Sequence, residues 1–354
     1  MNIQFHRVVS LLIASCLAVV GTTAVHAAPT PDIAAYQAAA LYSARQNGDA
    51  MLVLKGNQIV FETYQNGYEA SKPHVLASAT KSFSCAIAVA AKMEGLLSFD
   101  EPASKTLTEW KADPLRSKIT VRQILNFTDG LDPATDALQG ASTPDKYQFV
   151  LTVPLVAPGT VFRYGPSHLA AFGAIMDRKL KADGRYTDVY DFIDQKVFQP
   201  IGLTVGEWRR DIVGHLIMPG GAFITAREWV KYGELIRDQG IWKGQTILDK
   251  TMLSECFIGS AVFPAYGLTF WLNNPMPIST IGLDDVFPHS NAAKQNGLFQ
   301  IAPGGPKDLV MMAGAGDERQ YVIPSLDLVI IRFGRAAKGW TDAEFLNLAL
   351  GKKN

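Results

Sequence analysis

Cysteine is scarce: three occur in 354 residues, with no Cys/His cluster at metal-ligand spacing and no pattern that would make a disulfide scaffold. Charge of one sign is missing too, because 33 basic and 33 acidic side chains cancel, which removes the electrostatic case for nucleic acid or a strongly anionic membrane surface as partner. Internal repeats, low-complexity linkers and runs of like charge are absent, so neither a solenoid nor a largely disordered chain is expected. No serine sits in a Gly-x-Ser-x-Gly elbow, which argues against an α/β-hydrolase triad. What remains is an ordinary globular composition, 48% hydrophobic and 19% charged, with enough apolar material for a sizeable core.

The N-terminus carries the longest apolar run. A basic segment ending at Arg7, the uncharged stretch 8–20, and Val25 and Ala27 before a cleavage point read as a secretory signal peptide over residues 1–27. The run is short for a membrane anchor. Lipoprotein processing at Cys16 fits "IASC" less well, because apolar residues continue where a polar tether belongs. The expected location is periplasmic or secreted, with no stable membrane insertion after cleavage. Cys85 and Cys256 would remain; they could pair in an oxidising compartment, although a buried free thiol is the more usual state in an apolar helical run such as that around Cys85.

Residues 50–67 contain two β-rich runs around Lys55-Gly56-Asn57-Gln58, a hairpin signal. A helix is expected from near Ser78 to Gly95, and mainly helical pattern continues to about residue 250. Thr120 with Gln123, and Thr225 with Glu228, have capping-box spacing ahead of apolar periodicity. Strands return in "YGLTFWL" (266–272), "DLVMMAGAG" and "QYVIPSLDLVIIRFG", the last turning at 324–327. Strands at both ends with helices between predict one sheet built from both termini and a groove against an inserted helical lobe.

Ser78-Ala79-Thr80-Lys81 opens the apolar run at 83–93. Residues three apart share a helix face, so hydroxyl and amine come within hydrogen-bond reach. Burial would lower the lysine pKa towards the role of proton acceptor, and the helix N-terminus would offer free N–H groups to an oxyanion. Ser-x-x-Lys alone is expected on the order of once by chance in a chain this long. A capping Ser78 with a solvated Lys81 fits the tetrapeptide equally well.

Context decides. "LASATKSFSCAIAVAAKMEGLLSFDEPASKTLTEW", "KITVRQILNFTDGLD", "FRYGPSHLAAFGAIM", "GGAFITAREWVKYGELIRDQGIWKGQTIL", "YGLTFWL" and "QYVIPSLDLVIIRFG" resemble, in this order, the blocks of the serine β-lactamase-related hydrolases, the group of class C β-lactamases, penicillin-binding D,D-peptidases, and related esterases and amide hydrolases. The resemblance covers about residues 50–334. It implies an α+β, β-lactamase/transpeptidase-like fold, a mainly antiparallel sheet from both termini with an inserted helical lobe. Residues 28–354 would form that domain, with the sheet lobe at about 28–80 and 255–354 and the helical lobe at about 81–254. It places the catalytic serine and lysine on Ser78 and Lys81 and a catalytic tyrosine on Tyr164. A lysine ammonium beside that phenol would lower its pKa and let it relay protons. No cofactor or metal is implied.

Two departures narrow the substrate. Where many members carry an asparagine two residues after the tyrosine, Pro166 stands here. The third element, a Lys-Thr-Gly or His-x-Gly on the cleft strand, falls in Met312-Ala313-Gly314-Ala315-Gly316, which has neither lysine nor histidine. Small residues survive, so Ala313, Gly314, Ala315 and Gly316 are the candidate oxyanion and substrate strand, with the second oxyanion N–H expected from Ala315. The missing cation would hold a substrate carboxylate. Arg319 and Lys294 are possible substitutes that sequence does not locate in the cleft. His168 reads as packing or solvated, and Trp271 and Phe270 as core or pocket wall.

The expected function is that of a serine hydrolase acting through an acyl-enzyme on a small-molecule ester or amide. A β-lactamase or D,D-peptidase with a non-standard carboxylate anchor is one alternative. A catalytically inactive, penicillin-binding-like binding protein is the other. Oligomeric state stays open.

Overall fold

The structure, a computed structural model, describes Met1 and residues 33–140, 142–277 and 297–352. The expected signal peptide, Cys16 and Lys294 lie outside the described residues. The chain divides into Met1–Pro31 and Asp32–Asn354, and all that follows concerns the second unit.

Six antiparallel strands form the main sheet, in spatial order Gln58–Tyr64, Gly48–Lys55, Leu328–Gly334, Glu318–Ile323, Val310–Gly314 and Trp271–Leu272. Gly48–Lys55 and Leu328–Gly334 are buried almost throughout. They read as continuous apolar runs because helices cover both faces of the sheet. On one face lies Ala226–Arg237; on the other the terminal helices Ile33–Arg45 and Asp342–Ala349 pack together. Neither terminal helix was foreseen in the sequence. Both expected hairpins form, turning at Gly56-Asn57 and at Pro324–Asp327. "YGLTFWL" yields only Trp271–Leu272 as strand, because Thr269 takes φ +66°, outside extended space.

Residues 74–257 carry short helices, the longest being Ser167–Asp183, plus a three-stranded sheet of His74–Val75, Ala222–Ile224 and Glu207–Trp208. The capping box at Thr120 forms in full. At Thr225 only half of it does: the hydroxyl accepts from Glu228 N–H, while the Glu228 carboxylate turns to Thr204 N–H and Lys231.

Cys85 and Cys256 are joined by a disulfide, with Cα atoms 6.3 Å apart. The pairing that the sequence left open is therefore made, against the free thiol more usual in an apolar helical run. An apolar helix conceals its partner when that partner arrives from 171 residues away.

Candidate active site

The serine does not open a regular helix. Ala77–Ser82 is a 3-10 turn leading into the helix Phe83–Met93, entered through Ala77 at φ +45°. A non-glycine residue in that region carries strain, held here by the surrounding packing. The turn has no side-chain cap, so Ser78 is not the cap that the tetrapeptide alone allowed. Lys81 Nζ instead reaches Ser78 Oγ at 2.7 Å and donates to the Pro219 carbonyl at 2.8 Å. Lys81 is 4% exposed. Burial pulls its ammonium down from 10.5 to about 7, as expected.

Pro219 went unnoticed in the sequence, because a carbonyl carries no side-chain signal. It ends a loop held by Asp145, Asp211 and His215. The two carboxylates accept backbone N–H groups of Lys146, Gln148 and His215, and the His215 ring lies 3.2 Å from Asp145 and stacks on Tyr147, whose hydroxyl donates to Leu216 O. This clasp fixes the segment that presents Pro219 to Lys81.

Tyr164 reaches the same serine: its hydroxyl is hydrogen-bonded with Ser78 and with Trp271, and the Lys81 Nζ sits 5.0 Å from its ring centre. Its acidity corrects the expectation. Burial pushes the phenol up to about 12, and the two hydrogen bonds and the positive charge of Arg319 only partly offset that. No ammonium lowers it, because burial has driven Lys81 towards neutrality. Tyr164 thus stays a protonated phenol at neutral pH. Trp271, 2% exposed, belongs both to the core and to the tyrosine's hydrogen-bond shell. His168 is a packing residue: fully buried, its Nδ1 is 2.9 Å from Asp129 and its ring stacks on Phe127, which meets Tyr164 edge-on.

The third element has a definite register. Val310–Gly314 is strand, and Ala315-Gly316-Asp317 turns into Glu318–Ile323. A Cβ on Gly314 would lie 2.1 Å from Leu76 O and 3.1 Å from Ala79 N, so the strand end abuts the serine turn and only glycine fits. Neither Ser78 N–H nor Ala315 N–H has a hydrogen-bond partner among the described residues. One free donor thus belongs to Ser78 itself and the other follows the strand end that abuts its turn. Met312 is buried and supplies no charge. Arg319, at 3% exposure, is bound to Asp342 and to backbone carbonyls.

Residues 33–216 match the Beta-lactamase family model. The chain belongs to the beta-lactamase family. Within it, this family member is 22% identical over 317 residues to the 6-aminohexanoate-dimer hydrolase of Paenarthrobacter ureafaciens, covering 84% of this chain and 74% of that one. Its fold matches a beta-lactamase/D-alanine carboxypeptidase from Pseudomonas syringae at a TM-score of 0.64 and 16% identity, covering 90% of this chain and 98% of that one. It matches a D-stereospecific amidohydrolase from Streptomyces sp. equally, at 0.64 and 16%, covering 92% and 100%. This beta-lactamase-family chain has the α+β fold read from its sequence and is a serine hydrolase of the beta-lactamase and penicillin-binding protein superfamily.

Proposed function

We propose that the protein hydrolyses a small-molecule ester or amide through an acyl-enzyme on Ser78. The observation that carries this reading is the 2.7 Å contact of a buried Lys81, near neutrality at about 7, with the serine oxygen. A neutral amine can donate to Pro219 O and still accept the serine proton as Oγ attacks the carbonyl carbon. The carbonyl π electrons move to oxygen, where the N–H groups of Ser78 and Ala315 receive the negative charge. Tyr164, protonated, hands its proton to the leaving group and regains one from Lys81. Water then repeats the attack on the acyl-serine and frees the acid.

Met312 in the cation's place and Pro166 in the asparagine's favour a neutral acyl group over a β-lactam or a peptidoglycan terminus. The dimer hydrolase and amidohydrolase among the similar proteins support an amide as substrate. The Cys85–Cys256 bridge supports a periplasmic or secreted location, since disulfides persist in oxidising compartments. The partner on this reading is the substrate alone.

The test offers purified residues 28–354 p-nitrophenyl acetate and a chromogenic cephalosporin, with fluorophosphonate labelling of Ser78. Turnover of the ester, labelling, and loss of both in Ser78→Ala are expected. Faster specific turnover of the cephalosporin would reverse the substrate order, and a folded protein without a Ser78 adduct would point to a binding protein.

A further inference from the structure

We propose that Arg319, braced by Asp342, is a positioning residue that aims the Ala315 N–H at the oxyanion. The inference rests on the acyl-enzyme reading and assigns to this arginine a role other than that of the missing substrate cation.

Along Glu318–Ile323 side chains alternate between the two faces of the sheet. Gln320 reaches Trp229 O on one face, while Arg319 and Tyr321 both reach Asp342 of the C-terminal helix on the other. Arg319 Nε donates to Asp342 at 2.7 Å, and the Tyr321 hydroxyl donates to the same oxygen at 2.6 Å. Asp317 lies 3.5 Å away on the outer nitrogen. With its Nε so held, Nη1 of the rigid fork donates to Gly314 O at 3.1 Å and to Glu318 O at 3.0 Å. Gly314 and Glu318 are the last paired residues before the turn. One guanidinium therefore clamps the strand pair where it would otherwise fray.

Peptide geometry carries this to the site. In a trans peptide the C=O and N–H point in opposite directions. Fixing Gly314 C=O on Arg319 directs the Ala315 N–H, in the same peptide plane, away from Arg319. That N–H has no partner among the described residues, and its neighbour Gly314 abuts Leu76 O and Ala79 N of the serine turn. A second arginine completes the frame: Arg332 Nη1 donates to Gly316 O at 3.0 Å and Asp317 O at 2.7 Å. The carbonyls of Gly314, Gly316 and Asp317 are thus tied back to two arginines, while the Ala315 N–H, next to the strand end that abuts the serine turn, is left free. Charge-assisted bonds suit this task, being roughly twice as strong as neutral ones. A lysine at 319 would keep the charge but could not serve Asp342 and both carbonyls from one planar group.

The experiment compares wild type, Arg319→Lys and Asp342→Asn in kcat and KM on p-nitrophenyl acetate, in Tm, and in affinity for phenylboronic acid. That inhibitor forms an Oγ–B bond as the serine proton passes to Lys81, and the anionic tetrahedral boronate so formed places a hydroxyl oxygen at the oxyanion position. Arg319→Lys is expected to lower kcat by up to about 10²-fold, somewhat less than complete loss of a donor. Boronate affinity should fall by the same factor and KM stay within about twofold. Asp342→Asn should follow in the same direction and decides the matter if Arg319→Lys does not fold. Unchanged kcat and boronate affinity in a folded variant overturns the proposal, as does a fall in Tm and kcat that leaves boronate affinity intact. A wild type that neither turns over ester nor labels at Ser78 overturns the acyl-enzyme reading, and this proposal with it. Failure of the variants beside an active wild type overturns the positioning role only.

Discussion

Lys81 is held at a cost to stability that the proposed chemistry requires. Its folded pKa, about 7, lies below its ordinary 10.5. Between those values the unfolded chain binds a proton that the folded one excludes, so this group makes stability rise with pH from about 7 to about 10.5. Below about 7 the penalty is present in full. Lys81→Met should therefore raise Tm near pH 7, by an amount that shrinks as pH approaches 10, while lowering kcat by roughly 10²–10⁴; calorimetry beside ester kinetics checks both. In wild type, kcat/KM on an uncharged ester should fall as pH drops through about 7, because protonated Lys81 cannot accept the serine proton. The Tyr164 phenol, near 12, stays protonated across that range and adds no limb. A profile flat from pH 5 to 9 would remove Lys81 as the base.

At the scale of elements, the contact between strand and serine turn matters more than either alone. A side chain at Gly314 would meet Leu76 O, so Gly314→Val should part strand from turn and lower kcat/KM by roughly 10²-fold, the order that a misplacement of about 1 Å costs. A smaller Tm change than that of a core truncation would mark the defect as one of alignment. Thr120→Ala, far from the chemistry, removes a complete capping box and should cost about 1 kcal/mol with kcat unchanged. Thermal melts and ester turnover on the same samples separate the two kinds of change. Capping boxes and hairpin turns are legible in sequence because they depend on neighbours three or four residues apart. That holds for Ser78 and Lys81 and for the turn at Gly56. It fails at Glu228, whose carboxylate prefers Thr204 N–H, 24 residues away, and at Thr269, where tertiary packing imposes a left-handed residue on an apparent strand.

For the whole molecule, the bridge from Cys85 to Cys256 ties the serine helix to a segment 171 residues later. Reduction, or Cys85→Ala with Cys256→Ala, should lower stability by roughly 2–4 kcal/mol. Fluorophosphonate labelling of Ser78 per folded molecule should be kept, since neither sulfur is among the groups that meet the serine. Thiol titration with and without denaturant tests the bridge directly: free thiols in the native, unreduced protein would refute it.

Local order and residue chemistry determined the fold class and singled out Ser78, Lys81, Tyr164 and the small-residue strand end as candidates, since each depends on short spacing or on blocks that follow one another along the chain. Tertiary structure alone decided how those groups behave. Burial sets Lys81 near 7 and lifts Tyr164 to about 12. The Pro219 carbonyl meets Lys81 from 138 residues away, and Arg319 turns to Asp342 rather than into the cleft. Protonation state and orientation follow from desolvation and from contacts between distant segments, and neither quantity is written in a spacing.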